Sequence, residues 1–131
     1  MSILSTVVTI GAGATIGATV RYYLTELMTQ MFGRGFPFGT LCANIIGSFL
    51  AGVFVVIVLE KAALSESYRL MLLVGLTGSL TTMSALSWES IEMIGAGNYS
   101  QAGLNIFLNV LLSLSALGAG LALTRYVFSV Q

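Results

Sequence analysis

The chain has 131 residues, of which 56% are hydrophobic and only 8% charged, with five basic side chains set against five acidic ones. A soluble domain carries about 25% charged residues, so this sequence cannot coat a water-facing surface and reads as an integral membrane protein. Having no histidine or aspartate and a single cysteine inside an apolar run, it lacks the parts of an acid–base or metal-dependent enzyme and of an internal disulfide, and its charge balance leaves no nucleic-acid footprint.

Four uncharged runs are each long enough for the roughly 20 residues that a membrane helix needs. The predicted spans run from Ile3 to Leu24, Phe38 to Leu59, Leu70 to Met93 and Gly103 to Val127, joined by short polar connections at 33–37, 60–67 and 95–101. None of these connections can fold separately, so residues 1–131 are expected to form one all-α, four-helix membrane domain. The N-terminus lacks the cationic start of a cleaved signal peptide, so the first span is expected to be retained.

In the first span, Gly13 and Gly17 stand one turn apart, as do Ala14 and Ala18. One face is therefore nearly free of side chains and open to close approach by another helix. Arg21, beside Tyr22 and Tyr23, has two readings: an anchor at the membrane interface, or a cation in contact with a permeating ion.

The second span opens behind Pro37, whose missing N–H does no harm there. Thr40, Asn44 and Ser48 follow at intervals of four, so all three share one helix face. A lone asparagine in hydrocarbon is ordinarily interhelical glue, but a three-residue stripe is more than two helices need.

The third span holds GLTGSLTTMS at 75–84, with two glycines and five hydroxyl residues at its centre. Two explanations are open at this point. The helix is interrupted at the bilayer midplane and frees backbone groups to hold an ion, or the small residues mediate a close helix contact.

The fourth span repeats the stripe with Asn105, Asn109 and Ser113. Neutral donors on two helices suit an anion that must be dehydrated and yet released, so the stripes point to an anion path. With both termini placed on one side, that side holds Lys61, Arg69 and Arg125, and the other holds Arg34 and Arg21. Such a small bias hardly fixes an orientation. Four helices seldom enclose a pore alone, so two copies are expected, and an antiparallel pair becomes possible.

Four motifs together, GATIGATVRY, FGTLCANIIGSFLAG, GLTGSLTTMSALS and NIFLNVLLS, resemble the small microbial fluoride channels of the Fluc (also called CrcB) family over essentially the whole chain. The resemblance implies a multi-pass protein of the bacterial inner membrane, a dual-topology antiparallel homodimer, and two fluoride pores that export the ion down its gradient and relieve its toxicity. It implies one structural sodium ion on the two-fold axis, held by the backbone carbonyls of Gly78 and Thr81, and no organic cofactor. It makes Asn44 the amide that meets fluoride and Arg21 a vestibule or structural cation, with Thr40, Ser48, Ser84, Asn109 and Ser113 along the polar track. The family's break usually carries Thr-Thr-Phe-Ser-Thr-Phe, and this chain departs from it with Met83 and Leu86 at the two Phe positions. They remain candidates for apolar pore walls, without the positive ring edge that an aromatic offers an anion.

The rival from another class is a small proton-coupled multidrug or cation exporter. It would need a membrane-embedded carboxylate, and the middle of the first span offers only Gly, Ala and Thr. Glu89 and Glu92 are expected at a vestibule or interface position.

Overall fold

A 30-residue helix, α1 (Ile3–Phe32), begins where the Ser2 hydroxyl accepts from the Ser5 amide at 3.2 Å, and it ends at Gly33 with a φ of 76° that suits glycine. The computed structural model describes residues 2–61 and 64–130 of the chain. The remaining spans are α2 (Phe38–Glu60), α3 (Glu66–Gly95) and α4 (Tyr99–Ser129), and all four are long and apolar enough to cross a membrane. Among the described residues the chain is all-helical, built on these four spans.

The expected starts of α1 and α2 agree with the observed ones. Elsewhere the helices run further, α1 reaching Phe32 where Leu24 was expected. Arg21 is well inside α1, and its guanidinium donates to the Thr81 carbonyl at 3.4 Å. This contact gives Arg21 a backbone partner within the bundle. Lys61, Arg69 and Arg125 are left at one end of the bundle and Arg34 at the other. Arg125 forms an ion pair with Glu60 across α2 and α4, and Arg69 pairs with Glu66 within α3.

The spans pack through glycine. A methyl placed on Gly13 would strike the Met71 carbonyl, and one on Gly17 would strike the Leu76 carbonyl, so α1 lies backbone to backbone against the first half of α3. Gly75 returns the contact, with the Ile10 carbonyl 2.5 Å from where its Cβ would stand. Gly52 and Gly120 do the same for α2 and α4, against the Leu117 and Phe49 carbonyls. In a bilayer this contact replaces the hydrophobic drive, because lipid is as apolar as leucine. Large apolar side chains such as Val7, Leu27, Phe107 and Leu114 point outward, as lipid or another protein surface requires.

Two stretches wind more widely than an α-helix, Val55–Glu60 in α2 and Leu70–Thr77 in α3, with i→i+5 turns. Runs of this kind are rare and gather at functional sites. The second leads directly to a departure from helix: Thr81 has φ −77°, ψ 153° and Thr82 φ −151°, ψ 114°. Helix resumes as Met83–Gly95, with the Thr82 hydroxyl accepting from the Ala85 amide at 3.2 Å as its N-cap.

Candidate functional site

Two extended residues inside an apolar bundle leave peptide groups that water cannot satisfy, and Asn44 satisfies them. Its Oδ1 accepts from the Thr82 N–H at 2.7 Å, and its Nδ2 donates to the Thr82 carbonyl at 3.3 Å. The side-chain amide takes the place of a neighbouring peptide. The second proton of Nδ2 goes to Asn109 Oδ1 at 2.8 Å. From there the chain of amides continues: Asn109 Nδ2 donates to Asn105 Oδ1 and to the Asn105 carbonyl, both at 2.9 Å, and Asn105 Nδ2 donates to Ser90 Oγ at 3.2 Å. Asn44, Asn105, Asn109, Thr82 and Ser90 are all buried.

Two clefts flank the extended residues and share Thr82. The first, about 340 Å³, is lined by Asn44, Ser48, Thr81, Thr82, Met83, Leu86, Asn109, Val110, Ser113 and Leu114. No charged side chain is among them. The Ser113 hydroxyl oxygen is buried there without a hydrogen-bond partner among the described residues. The second cleft, about 630 Å³, holds Arg21, Tyr22, Thr25, Thr40, Ser84, Trp88 and Glu89. Its Thr40 hydroxyl donates to Glu89 Oε1 at 2.5 Å, while Glu89 Oε2 is buried and unpartnered among the described residues. Thr40 and Glu89 also border a cavity of about 470 Å³ at the 33–37 end, beside Glu26, Arg34 and Glu92.

The candidate residues therefore divide. Asn44, Ser48, Met83, Leu86, Asn109 and Ser113 share the first cleft, whereas Thr40, Ser84 and Arg21 share the second. Met83 is 70% exposed and Leu86 only 3%, so one stands at the cleft mouth and the other in its wall. Gly78 is exposed, and a Cβ added there would meet nothing nearer than the Leu73 carbonyl at 3.8 Å. The N–H that a continuous helix would send to the Gly78 carbonyl, that of Thr82, is the one held by Asn44.

Two further residues at the site were named in the sequence without a role in the pore, and a third was not singled out. Asn105 was visible in its spacing from Asn109. Glu89 carried the signal of an acid inside an apolar segment, which marks a functional position by default. Thr82 gave no signal, because its role lies in its backbone. The first cleft offers hydroxyl groups beside amides whose protons are engaged within the protein, all without a full charge, and a neutral lining of this kind can take over part of a small anion's hydration without trapping it.

A family model described as CrcB-like protein, Camphor Resistance (CrcB), matches residues 8–121. Curated relatives include the protein named Fluoride-specific ion channel FluC of Vibrio parahaemolyticus, 40% identical over 114 residues that cover 87% of this chain and 90% of the relative. Proteins of the same name from Sulfurihydrogenibium sp. and Roseiflexus sp. are 40% and 39% identical. They match 88% of this chain in each case, and 94% and 95% of their own lengths.

Proposed function

The chain belongs to the CrcB-like family, and from that membership we propose that it is a fluoride-selective ion channel of a cell membrane. It carries fluoride passively down its gradient and so lowers the toxic ion inside the cell. The observation that carries this reading is the first cleft, where the unpartnered Ser113 hydroxyl stands beside Ser48 and the Asn44–Asn109 amides with no charge among the lining residues. A cationic lining would hold fluoride too tightly to release it, and an apolar one would not dehydrate it.

The working unit is a homodimer of antiparallel copies with two pores. The open backbone at Gly78 favours it: glycine has no packing reason within the protomer, and a second chain approaching closely would supply one. The interruption at Thr81–Thr82 lies at the bilayer midplane, and Asn44, Ser48, Asn109 and Ser113 form the track beside it. A structural sodium fits the backbone there. The Gly78 carbonyl is released from its helical partner, and the extended Thr81 carbonyl turns out of the helix with one lone pair met by the Arg21 guanidinium at 3.4 Å and the other left for a second partner, and neutral carbonyl oxygens are suitable sodium ligands. Two such pairs, one from each copy, would hold the ion. Arg21 and Thr40, with Ser84, belong to the approach from the second cleft.

Proteoliposomes loaded with fluoride should empty without any proton gradient, and chloride-loaded ones should stay full, as followed by ion-selective electrodes. Equal chloride efflux would end the selectivity claim. An absolute need for a proton gradient would instead favour the exporter, whose required carboxylate Glu89 could supply from its place beside Thr40.

The absent aromatic pair gives a second test. With Met83→Phe and Leu86→Phe together, ring edges would face the path, and ion–ring contacts of about 0.5–2 kcal/mol correspond to a rise in efflux of about two- to thirtyfold. Met83 has open space for a ring, while Leu86 must push its ring toward the cleft. An unchanged rate would assign selectivity to the hydroxyl and amide groups alone.

A further inference from the structure

Asn105 is 0% exposed and lines none of the three cavities, yet it is the far member of the row of amides that ends on the extended backbone. We propose that Asn105 is a positioning residue: acting through Asn109 and Asn44, it fixes the amide that holds Thr82 and so shapes a cleft it never touches. What the cleft carries rests on the channel reading above; the relay itself does not.

The polarity of the chain is set at one end. A backbone N–H can only donate, so the atom of Asn44 facing Thr82 N–H must be Oδ1. Nδ2 of Asn44 then faces Asn109, whose facing atom must be Oδ1. The same logic places Asn109 Nδ2 against Asn105 Oδ1, and Asn105 Nδ2 against Ser90 Oγ, a hydroxyl able to accept. Turning any one amide over would set N–H against N–H. Amide orientations are ordinarily assigned by weighing the whole network, and here the Thr82 peptide settles every member. Hydrogen bonds in such a row polarise one another. Loss of the Asn105 side chain removes one of the two acceptors of Asn109 Nδ2 and leaves only the Asn105 carbonyl, 2.9 Å away, so Asn109 is held less firmly against Asn44, and Asn44 in turn against Thr82. A competing role, in which Asn105 only steadies the Glu89 carboxylate that faces the same amide, would leave Thr82 unaffected.

Residue-resolved amide hydrogen exchange on the intact protein, read by NMR, distinguishes these. Asn105→Leu keeps the volume close and removes the relay, and it should speed exchange at Thr82 by about tenfold, the effect of one buried hydrogen bond. The amide of Val20, in α1, should not change. Asn109→Leu should do the same as Asn105→Leu, and the double variant should be no faster than Asn109→Leu alone, because members of one network are not additive. If Asn105→Leu does not fold, Ser90→Ala cuts only the last bond and should shift Thr82 in the same direction by less. An unmoved Thr82, or effects that simply add, overturns the proposal. Exchange needs no ion gradient. A wild type that fails to pass fluoride would therefore end the channel reading, and Thr82 would still decide the relay.

Discussion

Fluoride efflux through an Asn44→Asp variant is expected to fall by about a hundredfold or more. Asn44 gives two protons to buried acceptors, the Thr82 carbonyl and Asn109 Oδ1, and receives one from the Thr82 N–H. An ionised carboxylate keeps the last bond and turns the first two into repulsions. A protonated one restores a single donor. Two lost buried bonds cost about 2–3 kcal/mol, and each 1.4 kcal/mol is about tenfold in rate. A fixed negative charge beside the cleft adds to the barrier for an anion. The variant should still assemble, since the packing around α2 rests on Gly47 and Gly52 rather than on this amide. Normal efflux from Asn44→Asp liposomes would remove Asn44 from the conducting machinery.

The largest loss of stability is expected from Gly17→Ala. The added methyl would collide with the Leu76 carbonyl and stand 3.0 Å from the Leu80 amide nitrogen, and neither is a side-chain tip that can swing aside. Helix α1 must then move away from α3 along the seam shared by Gly13 and Gly75. Overpacking of this kind costs about 1–3 kcal/mol. Gly11→Ala is the internal control, because a Cβ there meets nothing within 4 Å and replacing glycine in a helix gains about 0.5–1 kcal/mol. Unfolding in detergent should move in opposite directions for the two variants. Shifts of the same sign would mean that the α1–α3 contact is looser than described.

The sequence made the spans visible because apolar length is a strong signal, and it exposed the Gly13–Gly17 face because small residues one turn apart have few other uses. It misplaced the end of α1 because Arg21 and Glu26 resemble interface residues, when Arg21 in fact faces a carbonyl supplied by a residue sixty positions away. The stripe of Thr40, Asn44 and Ser48 was legible as a stripe. Its division between two clefts was not, since that depends on where Thr82 crosses it. Gly52 and Gly120 sit in different apolar runs, and only their meeting gives them meaning. Wide helical turns have no residue pattern, so nothing in LMLLVGLT announced them. The roles of Asn44 and Arg21 as partners of bare backbone were hidden for a common reason: the groups they hold belong to no side chain.

The interruption at Thr81–Thr82 has an electrical consequence as well. A helix adds its peptide dipoles into about half a positive charge at the amino end and half a negative charge at the carboxyl end. One unbroken α3 would display these only at its two ends. Divided, it brings the negative end of the segment finishing at Leu80 and the positive end of the segment starting at Met83 to the same level, inside the bundle. The guanidinium of Arg21 faces the first, and the cleft of Ser113 and Asn109 opens beside the second. A stretch of chain with no ionisable residue from 70 to 88 thereby presents opposite partial charges side by side, a place where a cation and an anion can each find a favourable field within one turn of backbone.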